Sequence, residues 1–533
     1  MKEQLGFVVA GSLSEGFSVR INSNVSLEHI KTGKFVTIVD EKSVFFSLIT
    51  DLKLEVTNPD IILFPPNEEQ KLLINSLKKR HTYVVAHVKP MLMLNQFNQI
   101  VPVKTIPVHF SSVSEANEKD VALVFGKEEE YESRYFMIGS PLDMDTPVCI
   151  DLERLTERSN GIFGKTGTGK TFLTRLVLAG LIKHQKAVTI IFDMHSEYGV
   201  QARQEGKNKN FVKGLKALFP DRVSIFSLDP HSTRRRGNAP DVTISIPYHE
   251  IHVEDIISLQ SELNLHATAL EAAYLIVAKY KKQWLSALLS HGENLKDFAQ
   301  SIGAHPESVA ALYRKLKRIE RLSFFVEGAK EQGSVIDQMM EYIDKDINII
   351  IEFGNFSSTF CYLLVANIIT RRLHDEYIAK TEKFLGTQRA EDEPKKLMIT
   401  IEEAHKFLNP IAAQQTIFGT IAREMRKYYV SLLVVDQRPS GIDSEILSQI
   451  GTKIVAQLND ERDIAGVLTG VNNASNLRGI LASLDTKKQV LLLGHAVAMP
   501  VVVQTREYDE TFYQAMNSGL TQKKRKEIID ELF

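Results

Sequence analysis

The chain has 533 residues, which at roughly 150 per domain suggests two to four domains. Hydrophobic residues make up 44% and charged residues 24%, so a globally disordered chain is excluded. Lys and Arg total 64 against 66 Asp and Glu, a net charge of -2 that excludes a uniformly basic nucleic-acid coat but not a local basic surface such as a ring lining.

Two cysteines, Cys149 and Cys361, offer neither metal-ligand spacing nor a disulfide framework, as fits a reducing cytoplasm. The apolar patch near the N-terminus is too short for a signal-peptide core. No run of about 18 apolar residues predicts a membrane span. The expectation is a cytoplasmic chain without a membrane anchor.

Residues 1–135 read as a small β-barrel or sandwich domain. Strand-like runs recur at Phe7–Ala10, Phe17–Ile21, Phe35–Val39, Ser43–Thr50, Leu52–Val56, Thr82–Val88 and Val101–Phe110, punctuated by Gly, Asn, Asp or Pro. Lys78–His81 reads as a solvated basic loop. From about 150, continuous Ile/Val/Leu runs alternate with helical stretches: Val188–Asp193, Ile347–Phe353, Leu397–Ile401, Ser431–Val435, Lys453–Gln457, Val490–Gly494 and Val501–Gln504. Such runs suit strands buried on both faces of a parallel sheet. The predicted fold class is multidomain α/β. The β-domain at 1–135 is followed by an α/β core in two parts, 136–252 and 343–507. A helical insertion at 253–342 interrupts the core, and a helical tail occupies 508–533. The tail carries Lys523–Lys526 and reads either as a solvated helix or as a clasp onto a neighbouring subunit.

Gly164–Thr171 matches G-x-x-x-x-G-K-T, with strand-like Gly161–Phe163 before it and an amphipathic helix, Phe172–His184, after it. Gly164, Gly167 and Gly169 allow a tight turn whose N–H groups, with those of Lys165, Thr166 and Thr168, face phosphate oxygens at a helix N-terminus. Lys170 would reach the β- and γ-phosphates, and Thr171 would place its hydroxyl on Mg²⁺. The implied ligands are ATP and Mg²⁺.

Leu397–Ile401 delivers Glu402 and Glu403 to a strand end, where open α/β sheets bind ligands. Glu402 is assigned to the metal and Glu403 to the attacking water. His405 reads equally as a helix-face residue. In FDMHSEYG, Asp193 and Glu197 lie at another strand end and read as support for the nucleotide site, with helix capping the plainer role for Asp193. Gln437, in VVDQRPSGID, is placed to sense the γ-phosphate or the attacking water. AREMRKYY offers Arg423, Arg426 and Lys427. Thr233–Arg236 lies in a Gly/Pro-containing loop, so Arg234, Arg235 and Arg236 are the DNA or pore candidates, against a solvated loop.

Taken in order, the β-domain, GKTGTGKT, DMHSEYG, IEEAH, AREMRKYY and DQRPSGID resemble the HerA family of hexameric DNA-translocating ATPases, in the RecA-like branch that also holds FtsK. The resemblance covers nearly the whole chain. It implies a HAS-barrel-like N-terminal domain and a RecA-like ATPase and helicase core. Lys170 and Thr171 are then nucleotide-binding, Glu403 catalytic and Gln437 a sensor. Arg426, within MRK, resembles an arginine finger acting in trans, and Arg158 a second arginine close to the nucleotide. One departure is AREMRK, where many relatives have Gly before ArgLys.

The family further implies a homohexameric ring threading duplex DNA beside a partner nuclease. That partner is NurA-like in DNA-end processing and break repair. In phage defence it is an effector such as a sirtuin-like, NAD-consuming protein or another nuclease. The sequence does not choose between them. An FtsK- or conjugation-type DNA pump is disfavoured by the absence of a membrane span. A monomeric helicase with paired motor domains is disfavoured by the single phosphate loop, and an ABC-type ATPase by the lack of an LSGGQ-like signature. A nucleotide-dependent assembly scaffold for an effector nuclease would carry the same site motifs.

Overall fold

A computed structural model describes residues 4–40, 43–58, 60–63, 81–97, 99–129, 132–142, 144–203, 211–328, 334–424, 427–471, 474–484 and 488–517. These form two compact units. The smaller draws on 1–128, 135–151 and 489–506, the larger on 129–134, 152–488 and 507–533. The smaller unit therefore takes in two segments, 135–151 and 489–506, that the sequence reading places with the α/β core.

Six antiparallel strands of the smaller unit close into a barrel in the order Gln4–Ser12, Ser112–Glu115, Phe35–Val39, Val44–Val56, Thr82–Leu94 and Gly16–Ile21, the last pairing back to the first. Alternation explains the two-sided burial of these strands. Phe45 points inward with Phe17, Val36, Ile38, Ile49, Ala86 and Val113. Phe35 and Phe46 instead meet Phe125, with ring centroids 5.8 and 6.4 Å from it. Phe125 ends the helix Glu118–Phe125, whose start is fixed by a reciprocal Asn117–Asp120 capping box.

Two sequence expectations change here. The runs at Ser43–Thr50 and Leu52–Val56 form one strand, Val44–Val56, which absorbs register shifts after Phe46 and Ile49. Val101–Phe110 is not a strand. Only Ile100–Val101 pairs, and Ser112–Glu115 takes the barrel position instead. Pro102 and Pro107 lack the N–H that a ladder requires. The basic stretch Lys78–His81 lies outside the described residues except for His81.

The same unit holds four antiparallel strands in the order Gln489–Gly494, Val501–Thr505, Tyr135–Pro141 and Val148–Asp151. The first two were expected in a parallel sheet. The connection at 495–500 is too short for a parallel crossover and permits only a hairpin.

In the larger unit eight strands lie side by side, all parallel: Val242–Thr243, Val223–Ser227, Asn348–Glu352, Val188–Asp193, Leu397–Glu402, Val430–Asp436, Asn160–Phe163 and Thr452–Val455. Val223–Ser227 was missed in the sequence, though it is a short β-branched run between turn residues. The register pairs Phe163 with Asp436 and Val455, Glu402 with Val435, and Asp193 with Glu352, so these strand ends share one edge. The helical insertion runs from Val253–Ile257 to Val335–Asp344. Its buried Asp255 accepts Nε and Nη2 of Arg371 at 3.0 and 2.8 Å, which fastens it to the helix Thr359–Thr387.

Residues 510–517 are helical, and Tyr508 meets Phe172, near the start of the helix Lys170–His184, edge-on at 5.6 Å. The rest of the tail, including Lys523–Lys526, lies outside the described residues. No helix among the described residues is long and apolar enough to cross a membrane.

Phe45→Ala empties a fully buried site in the barrel. It should destabilise the smaller unit by about 3–5 kcal/mol in urea unfolding. Leu54→Ala, at a position 83% exposed, should change stability by less than about 0.5 kcal/mol.

Candidate active site

The phosphate loop leaves the strand Asn160–Phe163 and enters the helix Lys170–His184. Gly167 and Gly169 have φ of 81° and 84°, in the left-handed region where a Cβ is strained. Gly169 caps the helix with a left-handed backbone, and a helix N-terminus of this kind favours a phosphate group. Thr171 follows Lys170 in that turn. The loop is braced at its base: the N–H of Gly164 donates to the Asp436 carbonyl and that of Lys165 to the Gln457 carbonyl. Within the loop, Thr168 Oγ1 and Lys170 Nζ both donate to the Lys165 carbonyl, at 2.7 and 3.1 Å. Lys165 Nζ reaches Asn459 Oδ1 at 3.4 Å.

The strand Val430–Asp436 lies between the phosphate-loop strand and the acidic strand Leu397–Glu402, which places Gln437 between their ends. Thr166 Oγ1 donates to Gln437 Oε1 at 2.6 Å, and Gln437 Nε2 donates to the Glu403 carboxylate at 3.3 and 3.4 Å. The phosphate loop, Gln437 and Glu403 thus form one continuous chain of hydrogen bonds. Glu403 has φ of 50°, unusual for a residue with a side chain, and strain of this kind gathers at functional turns. Its carboxylate is partly exposed.

Glu402 is held differently. Tyr198 donates to its Oε1 at 2.7 Å, and Tyr362 bonds to its backbone N–H and carbonyl. Burial, then the charges of Asp193, Glu197 and Glu403, push its pKa up to about 8. Asp193 is fully buried and accepts the N–H groups of Glu197 and Tyr198 at 2.8 and 2.9 Å. It caps the turn that carries Tyr198, and burial raises its pKa to about 7. Asp193 and Glu197 therefore act on the site through Tyr198 and through their charge.

His405 packs its Nδ1 against Asp436, 3.1 and 3.0 Å from the two oxygens, and lies 3.8 Å from Glu403 Oε2. The hydrogen bond to Asp436 raises the imidazole pKa. Asp436 was overlooked in the sequence although it directly precedes Gln437. Tyr198 stands inside the DMHSEYG segment. Tyr362 gave no signal, being one aromatic in an apolar helix.

The arginines divide. Arg158 precedes Asn160–Phe163 and lies at the end of that strand opposite to the phosphate loop, with the length of the strand, about 13 Å at 3.3 Å per residue, between them. Its Nε is buried without a hydrogen-bond partner. Arg423 is spent on the Ala413 carbonyl. Arg426 lies outside the described residues. Arg236 pairs with buried Glu352 at 2.8 Å, beside Thr233, whereas Arg234 and Arg235 are exposed on the short helix Pro230–Arg235.

Asp193 and Glu402 bind their protons more tightly in the folded chain than in the unfolded one. Their contribution to stability is therefore fully present below the ordinary carboxylate range and is lost as pH rises from there to about 7 for Asp193 and about 8 for Glu402. Melting temperature should drop between about pH 5 and pH 8 and level off above that, and Glu402→Gln, which cannot ionise, should flatten that drop. An unchanged slope in Glu402→Gln would place the titration elsewhere.

Residues 136–373 match the profile of the family described as "Helicase HerA, central domain". The chain is 24% identical over 550 residues to the DNA double-strand break repair helicase HerA of Sulfurisphaera tokodaii, covering 99% of this chain and 98% of that protein. It is 22% identical over 557 residues to the protein of the same name from Pyrococcus furiosus, covering 96% and 93%. Among solved structures it is similar to VirB4 of Thermoanaerobacter pseudethanolicus, with 15% identity, a TM-score of 0.47 and coverage of 71% of this chain and 98% of that one. Motif order, a phosphate loop on a parallel sheet and similarity along the full length together place a HerA-type central domain at residues 136–373 of a P-loop, ATP-hydrolysing enzyme.

Proposed function

We propose that the chain is an ATP-driven DNA translocase and helicase that works as a homohexameric ring on duplex DNA beside a partner nuclease. The observation that carries this reading is the unbroken link from Thr166 through Gln437 to Glu403, which ties the state of the phosphate loop to the group that would activate water. The curated HerA proteins to which the chain is similar along its length are named as break-repair helicases, which supplies DNA as the substrate. The barrel, which has no phosphate-binding motif, is the docking module for the nuclease.

In this reading Gly164–Thr171 cradles the phosphates of ATP, Lys170 neutralises them and Glu403 accepts the proton of the attacking water. Thr171 and Glu402 are the groups placed for Mg²⁺. A divalent cation suits them because Asp193, Glu197, Glu402 and Glu403 gather negative charge with little to offset it. Among the described residues no three His, Cys, Asp or Glu side chains form a ligand set. Mg²⁺ would then be held chiefly by phosphate oxygens and water, as this ion ordinarily is at nucleotide sites. Its chemistry there is neutralisation of the phosphate charge.

Arg158, on the far edge of the sheet, does not reach its own phosphate loop and would serve a neighbour's, as would Arg426 by its motif. Positive charge on the transferred phosphoryl group would then come from the next subunit, worth roughly 10³–10⁵ in rate.

Lys170→Ala should abolish ATP turnover and weaken nucleotide binding sharply. Glu403→Gln should retain binding while turnover falls by about 10²-fold or more. Both are read by phosphate release and by titration of a fluorescent ATP analogue. Near-normal turnover in either variant would overturn the site. Stimulation of ATPase by duplex DNA separates a motor from an assembly scaffold, which needs none.

Mixing Lys170→Ala with Arg426→Ala subunits should restore part of the activity, because some interfaces then pair an intact phosphate loop with an intact arginine. Absence of recovery in mixed rings verified by mass would count against a site shared between chains.

A further inference from the structure

We propose that Asp436 is a positioning residue for ATP hydrolysis, holding the turn that bears Glu403 and the turn that bears Gln437 in register with each other and with the phosphate loop. The inference rests on the assignment of Glu403 as the group that activates water.

Asp436 is 1% exposed and ends the strand between the phosphate-loop strand and the acidic strand. Three separate segments converge on it. Its carbonyl accepts the N–H of Gly164, the first residue of the phosphate loop. Its Oδ2 accepts the backbone N–H of His405 at 2.6 Å, two residues beyond Glu403. Its Oδ1 accepts the N–H of Arg438 at 2.6 Å, one residue beyond Gln437. The His405 ring closes the arrangement through Nδ1, at 3.1 and 3.0 Å from the two oxygens.

The need for such a clamp follows from the backbone of Glu403. A φ of 50° is costly for a residue with a Cβ and persists only where its surroundings fix it. On the C-terminal side, the first side-chain contact fixing that turn is the His405–Asp436 pair. Gln437 has the same requirement. Its amide must face Thr166 with one end and Glu403 with the other, so a rotation of the Arg438 turn would break both bonds. Only a carboxylate serves. Two backbone donors approach two different oxygens, and an amide would present N–H to one of them. Among the described residues Asp436 has no hydrogen bond to Glu403, so it acts through the two turns.

The test uses the full-length chain, with kcat and KM for ATP measured separately. Asp436→Asn should lower kcat about 10- to 100-fold, as misplacement of a catalytic group by about an ångström does, while KM stays within about twofold. His405→Ala should show the same pattern. His405→Asn, whose amide N–H falls where Nδ1 stands, should restore most of kcat. The pair at His405 decides the matter should Asp436→Asn fail to fold, since that side chain is a quarter exposed. Equal kcat in His405→Ala and His405→Asn, or a parental kcat in a folded Asp436→Asn, would overturn the proposal. Glu403→Gln, assayed in parallel, separates the two failures. Parental turnover there removes the assignment on which the proposal rests. Loss of turnover there, with no effect at Asp436 and His405, removes the proposal alone.

Discussion

Parallel pairing sends the C-terminal residue of each of the eight strands of the large parallel sheet to one edge, and four of those residues are carboxylates: Asp193, Glu352, Glu402 and Asp436. Burying a carboxylate is expensive unless donors surround it, so each must be satisfied locally. Asp193 takes two backbone N–H groups. Glu352 takes Arg236 and Thr233. Asp436 takes two backbone N–H groups and an imidazole. Among the described residues the Glu402 carboxyl takes the Tyr198 hydroxyl. Three of the four are therefore committed to holding turns or neighbouring side chains, and Glu402 has the fewest donors. Burial first, and then the nearby charge of Asp193, raise its pKa.

The division between holding and reacting groups follows from that. Glu403 lies one residue past the strand end, outside the ladder, and its left-handed backbone takes it out of the alternation that buries Ile401. Its carboxylate is partly exposed and bonds Gln437, with His405 Nδ1 3.8 Å away. A group that must exchange a proton with water needs this freedom, and a group that must hold a turn needs the opposite. Two adjacent glutamates in identical chemistry acquire distinct surroundings because one still belongs to the sheet and the other does not.

Much of this was legible in the sequence. The phosphate loop, the paired glutamates and Gln437 announce themselves by residue type at fixed spacing, and spacing along the chain is what a sequence records. Partners across strands are not recorded in that way. Continuous apolar runs such as Val188–Asp193 and Val430–Asp436 signal burial on both faces but not which strand lies beside which. That Asp436 meets His405, or that Tyr362 bonds the backbone of Glu402, depends on strand order and on how a helix lies over the sheet. Thr233–Arg236 reads as basic in the sequence, yet Arg236 is paired because Glu352 ends a neighbouring strand. The place of Arg158 was available: a residue before a parallel strand lies at the edge opposite to the loop that follows it. The antiparallel pairing of Gln489–Gly494 with Val501–Thr505 was also available from the shortness of the link between them.

Gln437 shows how such a site can report its own state. An amide has one acceptor end and one donor end, and here both are engaged: Oε1 by Thr166 and Nε2 by Glu403. The Thr166 hydroxyl therefore fixes the orientation of the amide that faces Glu403. Should that hydroxyl turn to a phosphate oxygen, Oε1 loses its donor and the amide is held from one end only. The Glu403 carboxylate would then be freer to take a water in place of Nε2. The phosphate loop and Glu403 are in this way linked through a single rotatable side chain. Its two neighbours, Asp436 and Arg438, keep the backbone beneath it still.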